Sequence, residues 1–384
     1  MKIGFDISQT GSEKAGCGFF ADSLIRHLAE IDRENEYILY PTFGNHYMDP
    51  HWASSTCRIA QPNFSRGSGH KTLRAARDFW NNPLDSLEKH LGDPDIIHSN
   101  NFFCPTGLRK ARLVYTLHDL SFLAHPEWAT EENRIACFEG VFNASIFADF
   151  IIANSDYTRN HFLETFPHYP ADRIRTIYEA SRFKLSTDAP KPKIFSVLEH
   201  DKFWLSVGIL EPRKNHKGLL AAYASLKREA GNRFPLVLAG GKGWLMDDFK
   251  RQIESLGLQQ DVILPGYLDD KDLQWLYQNC FAFVYPSYFE GFGLPVIEAM
   301  SLGAPVIVSN VTSLPEIVGE AGMLIDPTSQ EELCRAMQRL ISEPGLRDEL
   351  RRKAPQRASQ FSWHSAAAQV KDLYIRSLSL KKRF

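Results

Sequence analysis

The sequence predicts an α/β protein made of two doubly wound, Rossmann-like halves. Three observations carry that expectation. Short β-rich apolar runs alternate with helical stretches along the chain, an alternation that gives parallel sheets covered by helices. The alternation breaks once, at EASRFKLSTDAPKPK (179–193), which holds two prolines and little periodicity and reads as a linker. The polar and glycine-bearing loops follow the strands, at the carboxyl ends where such sheets bind ligands.

In chain order, KIGFDI (2–7) reads as the first strand. The loop SQTGSEKAGCG leads to a helical pattern, FFADSLIRHLAEI (19–31), and YILYP (37–41) is a second strand. Residues 42–70 are rich in polar and turn residues and show no clear period. KTLRAARDFW (71–80) has helical periodicity with basic residues interleaved. DIIHSN (95–100), RLVYTLHD (112–119) and DFIIANS (149–155) read as buried parallel strands, each ending in polar residues. Ser155 suits the N-cap of the next helix. The second series runs FWLSVGIL (203–210), a helix from about 215, PLVLAG (235–240), a helix near 246–256, VILPGY (262–267), DLQWLYQNC (272–280), FAFVYPS (281–287), a helix from 295 and PVIVSN (305–310).

A chain of 384 residues suits two domains at roughly 100–200 residues each. Hydrophobic residues make up 43%, enough for two sizeable cores. A net charge of −2 argues against a nucleic-acid partner and against an acidic disordered tail, whereas a small anion needs only a local positive site. The first apolar run stops at Ile7, too short for the core of a signal peptide. No stretch approaches the roughly 18 apolar residues of a membrane span. Cysteines at 17, 57, 104, 137, 280 and 334 form no C-x-x-C and no metal-ligand spacing, which suits a reducing cytoplasm.

The densest constellation is YFEGFGLPVIEAM (288–300). Glu290 falls in a loop after a strand and Glu298 one turn into a helix that opens with Pro295. Gly291 and Gly293 allow a ligand close to the backbone, and the amides of Phe292, Gly293 and Leu294 at a helix N-terminus favour a phosphate. Carboxylates suit paired hydroxyls, as on a sugar or ribose. Acidic residues that merely favour a helix dipole account equally for either glutamate alone. In VGILEPRKNHKGLL (207–220), Arg213 and Lys214 follow a strand and can neutralise a diphosphate, or form an ordinary solvated turn. In VYTLHDLSFLAHPEW (114–128), His118 closes a strand, and Asp119 either orients it or caps the segment after it. Gly16 and Gly18 precede a helix without the G-x-G-x-x-G spacing. GGKGW (240–244), beginning at Gly240, lacks the Ser/Thr and the spacing of a P-loop and reads as a loop touching a nucleotide. Asp93-Pro94-Asp95 matches a metal-holding D-x-D but lies at the start of a strand, away from the carboxyl ends, so no metal is expected there. Lys71, Arg74 and Arg77 lie beside Leu73, Phe79 and Trp80, a pattern shared by helices that rest on anionic membranes and by amphipathic core helices with a solvated basic face.

Together these motifs resemble the retaining glycosyltransferases of family 4, with the two-Rossmann GT-B fold. The resemblance covers nearly the whole chain. It is strongest over 203–220 and 262–327, on E-P-R-K, on the E-x7-E pair Glu290…Glu298 and on SLGAPVIVSNVTSLPEIVGEAG. TLHDLSF…HPEW resembles the acceptor-side domain of the same family. It implies an acceptor domain over 1–185, completed by a C-terminal helix over 363–384 that crosses back, and a donor domain over 194–362. The two domains would face a cleft.

The resemblance also implies roles. Glu298 would bind ribose hydroxyls and Glu290 hydroxyls of the transferred sugar. Lys214 and Arg213 would stabilise the leaving diphosphate, helped by amides at Phe292, Gly293 and Leu294. His118 would lie near the transferred sugar, and Gly16, Gly18, Gly208 and Gly240 would border the donor. One departure stands out. Many members carry an arginine after the strand-end glycine, but Gly208 is followed by Ile209, so that diphosphate contact is missing or comes from Arg213.

The implied activity is metal-independent, retaining hexosyl transfer, with UDP-glucose expected ahead of GDP-mannose. The implied acceptor is a saccharide or lipid-linked saccharide in polysaccharide biosynthesis, and the implied location is the cytoplasm or the inner membrane face. No nucleophilic carboxylate is evident, so a front-face substitution is expected. A sugar-nucleotide 2-epimerase shares the layout but does not ordinarily join E-P-R-K to E-x7-E. A nicotinamide dehydrogenase needs the glycine fingerprint that is absent. A non-catalytic binder of nucleotide sugars would keep the second-half motifs and lose His118 and Glu290.

Overall fold

Both alternating series fold as parallel sheets. The computed structural model describes residues 1–383 apart from 12–13, 45–46, 49–58, 83–85, 186–190, 232–233 and 245–247. It forms two compact units, the first made of Met1–Pro126, Glu131–Glu179 and Ser362–Phe384, the second of Glu127–Thr130 and Ala180–Phe361. The division thus falls at Glu179, ahead of the expected 185.

The first unit holds β1 (Lys2–Asp6), β2 (Glu36–Tyr40), β3 (Thr42–Phe43), β4 (Tyr47–Met48), β5 (Phe64–Arg66), β6 (Ile96–Ser99), β7 (Arg112–Leu117), β8 (Phe150–Ala153) and β9 (Ile174–Thr176). β3 and β4 pair antiparallel with each other. The other seven form one parallel sheet in the order β5-β2-β1-β6-β7-β8-β9. Its central strands are buried, which is why they read as nearly continuous apolar runs. The strand order reverses between β1 and β6, so a ligand of this sheet belongs beyond their carboxyl ends.

The second unit holds β10 (Trp204–Val207), β11 (Leu236–Ala239), β12 (Val262–Gly266), β13 (Ala282–Tyr285), β14 (Val306–Ser309) and β15 (Met323–Ile325). All are parallel, in the order β12-β11-β10-β13-β14-β15, with the reversal between β10 and β13. β9 and β15 escape a reading from periodicity because each has three residues. Helix Glu131–Phe147 escapes it because Ile135, Phe138 and Phe142 are exposed and blur its apolar face. Helix Phe249–Ser255 matches the one expected near 246–256, whose first residues lie outside the described residues, as does Cys57.

Helix Trp363–Ser379 returns to the first unit, as the resemblance implies. Ser362 caps it, and Trp363 packs edge-on against Phe20 of helix Gly16–Ile31, with ring centres 5.8 Å apart.

That second helix requires a correction. It begins at Gly16, so Gly16 and Gly18 lie inside it and do not precede it. Gly18 is there for packing, since a Cβ would stand 2.1 Å from the Gln9 carbonyl oxygen.

The basic helix spans Leu73–Asn81 and is capped by Thr72, whose side chain accepts from Ala75 N at 3.2 Å. Trp80 is buried against Phe43 and Phe103, and Phe79 packs on Trp80, so the aromatic residues face the core. Arg74 and Arg77 are exposed. Among the described residues no helix is long and apolar enough to cross a membrane. The D-x-D carboxylate Asp95 accepts from the amide of Lys2 at 2.8 Å and so fastens the start of β1. Among the described residues no group of three or more His, Cys, Asp or Glu is placed to hold a metal.

Candidate functional site

The reversal between β10 and β13 in the second unit gathers the strongest sequence motifs. β10 ends at Gly208, whose amide donates to Ala239 O at 2.9 Å. A Cβ on Gly240 would lie 1.9 Å from the Gly208 carbonyl oxygen, so glycine is required where these strand ends touch. A single 3-10 turn, Pro212–Lys214, comes next, and left-handed Asn215 then caps helix His216–Ala230 by accepting from Gly218 N at 3.2 Å. The turn presents Arg213 and Lys214 to the loop after β13. Tyr288 N donates to Arg213 O at 2.8 Å and ties the two loops at the backbone.

Glu290 is the centre of a four-charge cluster. Its Oε1 is 2.7 Å from Lys214 Nζ and its Oε2 is 3.0 Å from Arg213 Nη1. Arg213 Nη2 also donates to Glu211 Oε1 at 2.6 Å, and Lys214 donates to the Tyr285 hydroxyl. Two cations and two carboxylates compensate one another, all largely buried. Burial pushes the Glu290 carboxyl up, but the Arg213 and Lys214 charges outweigh it and hold it at about 2. Ser313 Oγ donates to the carbonyls of Glu290 and Phe292, both at 3.0 Å, and Thr312 Oγ1 accepts from Glu290 N at 3.1 Å. These bonds shape the EGFG turn. It ends at Gly293, whose φ of +106° suits glycine, and helix Leu294–Ser301 starts there with Pro295 in its first turn.

Glu298 lies on that helix with different partners. It is 2% exposed, is salt-bridged to Arg182 and accepts from the Tyr277 hydroxyl at 3.2 Å. Arg182 also reaches Asp270 at 3.2 Å. Burial pushes the Glu298 carboxyl up, against the pull of Arg182 and Tyr277. Arg182 is not among the expected site residues, because the stretch 179–193 carries no period and reads as linker. Arg182→Met keeps the apolar stem and removes the charge that holds Glu298. If Glu298 meets the ribose, nucleotide affinity falls about tenfold in a calorimetric titration; unchanged affinity would place Glu298 away from the nucleotide.

A further contact within this unit comes from residues 127–130. Trp128 stacks on Tyr288 with ring centres 5.7 Å apart and planes 19° apart. Trp244, in the GGKGW loop, donates its indole N–H to the Trp128 carbonyl at 2.8 Å. Trp128 therefore touches two of the strand-end loops, one through its ring and the other through its carbonyl.

In the first unit, His118 comes directly after β7 and is 8% exposed. Its Nε2 donates to the Asn100 carbonyl at 2.9 Å, and Phe20 and Phe102 flank the ring. Burial pushes the imidazole down, so it is neutral at neutral pH with Nδ1 as an acceptor. Asp119 accepts from the amide and the hydroxyl of Ser121 at 2.9 and 2.8 Å, at the start of the next short helix. Arg213, Lys214, Glu290, Phe292 and Gly293 are thus brought together in one unit, Glu298 stands on the adjoining helix, and His118, Gly16 and Gly18 belong to the other unit.

Comparison with known proteins identifies the family. The profile described as Glycosyltransferase Family 4 matches residues 16–180, and that of Glycosyl transferases group 1 matches residues 190–357. O-antigen chain mannosyltransferase B of Escherichia coli is 37% identical over 285 residues, which is 73% of this chain and 74% of that one. The chain belongs to glycosyltransferase family 4. A second relative, the serotype-specific mannosyltransferase WbdA of Escherichia coli, is 34% identical over 86% of this chain, which spans 42% of its length. Among solved structures, sucrose-phosphate synthase from Thermosynechococcus elongatus superposes with a TM-score of 0.75 at 20% identity, covering 99% of each chain. That likeness concerns the fold, and this family 4 glycosyltransferase has the GT-B architecture.

Proposed function

We propose that the enzyme transfers mannose from GDP-mannose to a saccharide acceptor, free or lipid-linked, in polysaccharide biosynthesis, with retention of configuration and without a divalent metal. The observation that carries the sugar is the 37% identity with a mannosyltransferase over about three-quarters of both chains. UDP-glucose, expected first from the sequence, therefore takes second place. The proposed location is the cytoplasm. A lipid-linked acceptor would bring the enzyme to the inner membrane face, where the exposed Arg74 and Arg77 are the proposed contact.

In this reading the leaving diphosphate lies against Arg213, Lys214 and the start of helix Leu294–Ser301, where the amides of Phe292, Gly293 and Leu294 supply further positive potential. Gly208 and Gly240 keep the strand ends bare beneath it. Glu290, ionised by its two cationic neighbours, accepts from hydroxyls of the transferred sugar, and Glu298 accepts from the ribose. His118, neutral and with Nδ1 as acceptor, takes a hydroxyl of the transferred sugar. Glu290 is a poor nucleophile here, because both its oxygens are tied to cations. A front-face substitution needs none: the acceptor hydroxyl enters on the side the phosphate leaves, and the phosphate takes its proton. Catalysis is then positioning and stabilisation of the leaving charge.

Calorimetric titration with UDP, GDP, UDP-glucose and GDP-mannose in EDTA tests the reading. Binding of the guanine series and mannosyl transfer in EDTA are expected. Binding confined to the uracil series overturns the donor, and activity that EDTA abolishes and Mg²⁺ or Mn²⁺ restores overturns metal independence.

A further inference from the structure

The switch point of the first sheet, between β1 and β6, holds a polar network that ends on His118. At its centre is Asn100, which is 2% exposed and engages all four of its hydrogen-bonding groups. Its amide donates to Asp6 Oδ2 at 3.2 Å and its Nδ2 to the Asp6 carbonyl at 3.0 Å. Its Oδ1 accepts from Thr116 Oγ1 at 3.2 Å, and its carbonyl accepts from His118 Nε2 at 2.9 Å.

The partners fix the direction of every proton. The Asp6 carbonyl can only accept, so the Asn100 amide group cannot be turned round. Thr116 then spends its hydroxyl proton on Asn100 and must accept from His98 Nε2, 2.9 Å away. His98 Nδ1 is left to accept from the Tyr374 hydroxyl at 2.6 Å. The chain of donors therefore runs one way, from Tyr374 through His98 and Thr116 to Asn100. Its members are between 0% and 2% exposed, and burial holds His98 neutral. Asp6 anchors Asn100 from the other side and is itself held by the amide and hydroxyl of Ser8 at 2.9 and 2.7 Å. A buried network in which every group is satisfied is rigid, and here the rigid point is the carbonyl that holds the His118 proton.

We propose that Asn100 is the positioning residue of His118: its carbonyl, which can only accept, selects the Nε2–H tautomer with Nδ1 as acceptor, and the one-way chain from Tyr374 through His98 and Thr116 holds the Asn100 side chain so that this carbonyl stays within reach of the ring. Tyr374 lies on helix Trp363–Ser379, so the returning C-terminal helix gains a part in the chemistry beyond closing a core. The kinetic half of the proposal rests on the sugar-transfer reading above; the tautomer half does not.

The test uses the full chain with ¹⁵N-labelled histidine and compares wild type with Thr116→Val, Thr116→Ser and Tyr374→Phe, none of which touches the donor loops. Long-range ¹H–¹⁵N correlation reads the His118 tautomer, assigned from His118→Gln. Wild type should show Nε2–H alone. Thr116→Val should populate Nδ1–H and lower kcat about tenfold with the donor KM changed by less than about twofold, and Thr116→Ser should restore both. Tyr374→Phe, which keeps the ring and its packing, should shift the tautomer in the same direction. A His118 signal that stays Nε2–H in both Thr116→Val and Tyr374→Phe overturns the proposal and leaves the Phe20 and Phe102 walls as what holds the ring. A wild-type enzyme that transfers sugar from no donor sinks the functional reading, while the tautomer result still decides the positioning.

Discussion

Lys214→Ala is expected to lower kcat by roughly 10²–10³-fold while nucleotide affinity changes far less. Lys214 is 8% exposed, and its ammonium donates to Glu290 and to the Tyr285 hydroxyl. On the proposed reading, a buried point charge of this kind acts on charge that develops as the sugar–phosphate bond breaks, and hardly at all on the nucleoside. Arg213 remains in the variant, but it is already shared among Glu211, Glu290 and the Phe289 carbonyl. Lys214→Arg should not rescue, because a planar fork cannot occupy the point position between Tyr285 and Glu290. Single-turnover rates with saturating donor measure the effect. A rate within about threefold of wild type would remove Lys214 from the leaving-group site.

Glu290→Gln should cost the second unit about 3–5 kcal/mol at pH 7, because it leaves Lys214 a buried cation without its counter-charge and Arg213 with Glu211 alone. The sign of the pH dependence comes from the depressed carboxyl. In the unfolded chain this group titrates near about 4.3, and in the folded unit at about 2. The ionised form therefore stabilises the fold fully above the unfolded value, by about 3 kcal/mol, and that contribution is lost as pH falls through about 2. The gap between wild type and Glu290→Gln in urea unfolding should be widest at pH 5–7 and narrow steadily below about pH 4. A gap of constant size from pH 7 to pH 3 would show that the cluster is not held by the Glu290 charge.

Much of this site is legible before any coordinates, and the reason is local. Each loop lies just beyond a strand that periodicity identifies; Gly208, Gly240 and Gly293 mark turns in the backbone region that favours glycine, and Pro295 marks a helix start. Arg213, Lys214 and Glu290 stand out because they sit in such loops. The residues that escape notice are those whose meaning depends on a distant partner. Arg182 pairs with a glutamate 116 positions away and sits in a stretch without a period. Tyr277 and Tyr285 read as core aromatics, and they are, but each also turns a hydroxyl onto a site residue. Asn100 ends a strand like many asparagines; only the sheet order, which sets β6 between β1 and β7, reveals that it collects Asp6, Thr116 and His118. The start of helix Gly16–Ile31 is misjudged for the opposite reason. Two glycines in its first turn are poor helix formers; close packing against Gln9 requires the glycine at 18, whereas at Gly16 a Cβ would meet open space.

Trp128 has a bearing on how this enzyme could be recombined with its kin. The second unit is not an uninterrupted stretch of the chain, because four residues embedded in the other unit's sequence belong to it. A chimera that took 180–361 from this enzyme and everything else from a relative would inherit Tyr288 and Trp244 but meet a stranger's residue where the indole should stack. Exchange of specificity by swapping halves, whether in a laboratory or by descent, therefore has a hidden passenger. Residues 127–130 have to travel with the half they serve, or change in step with it.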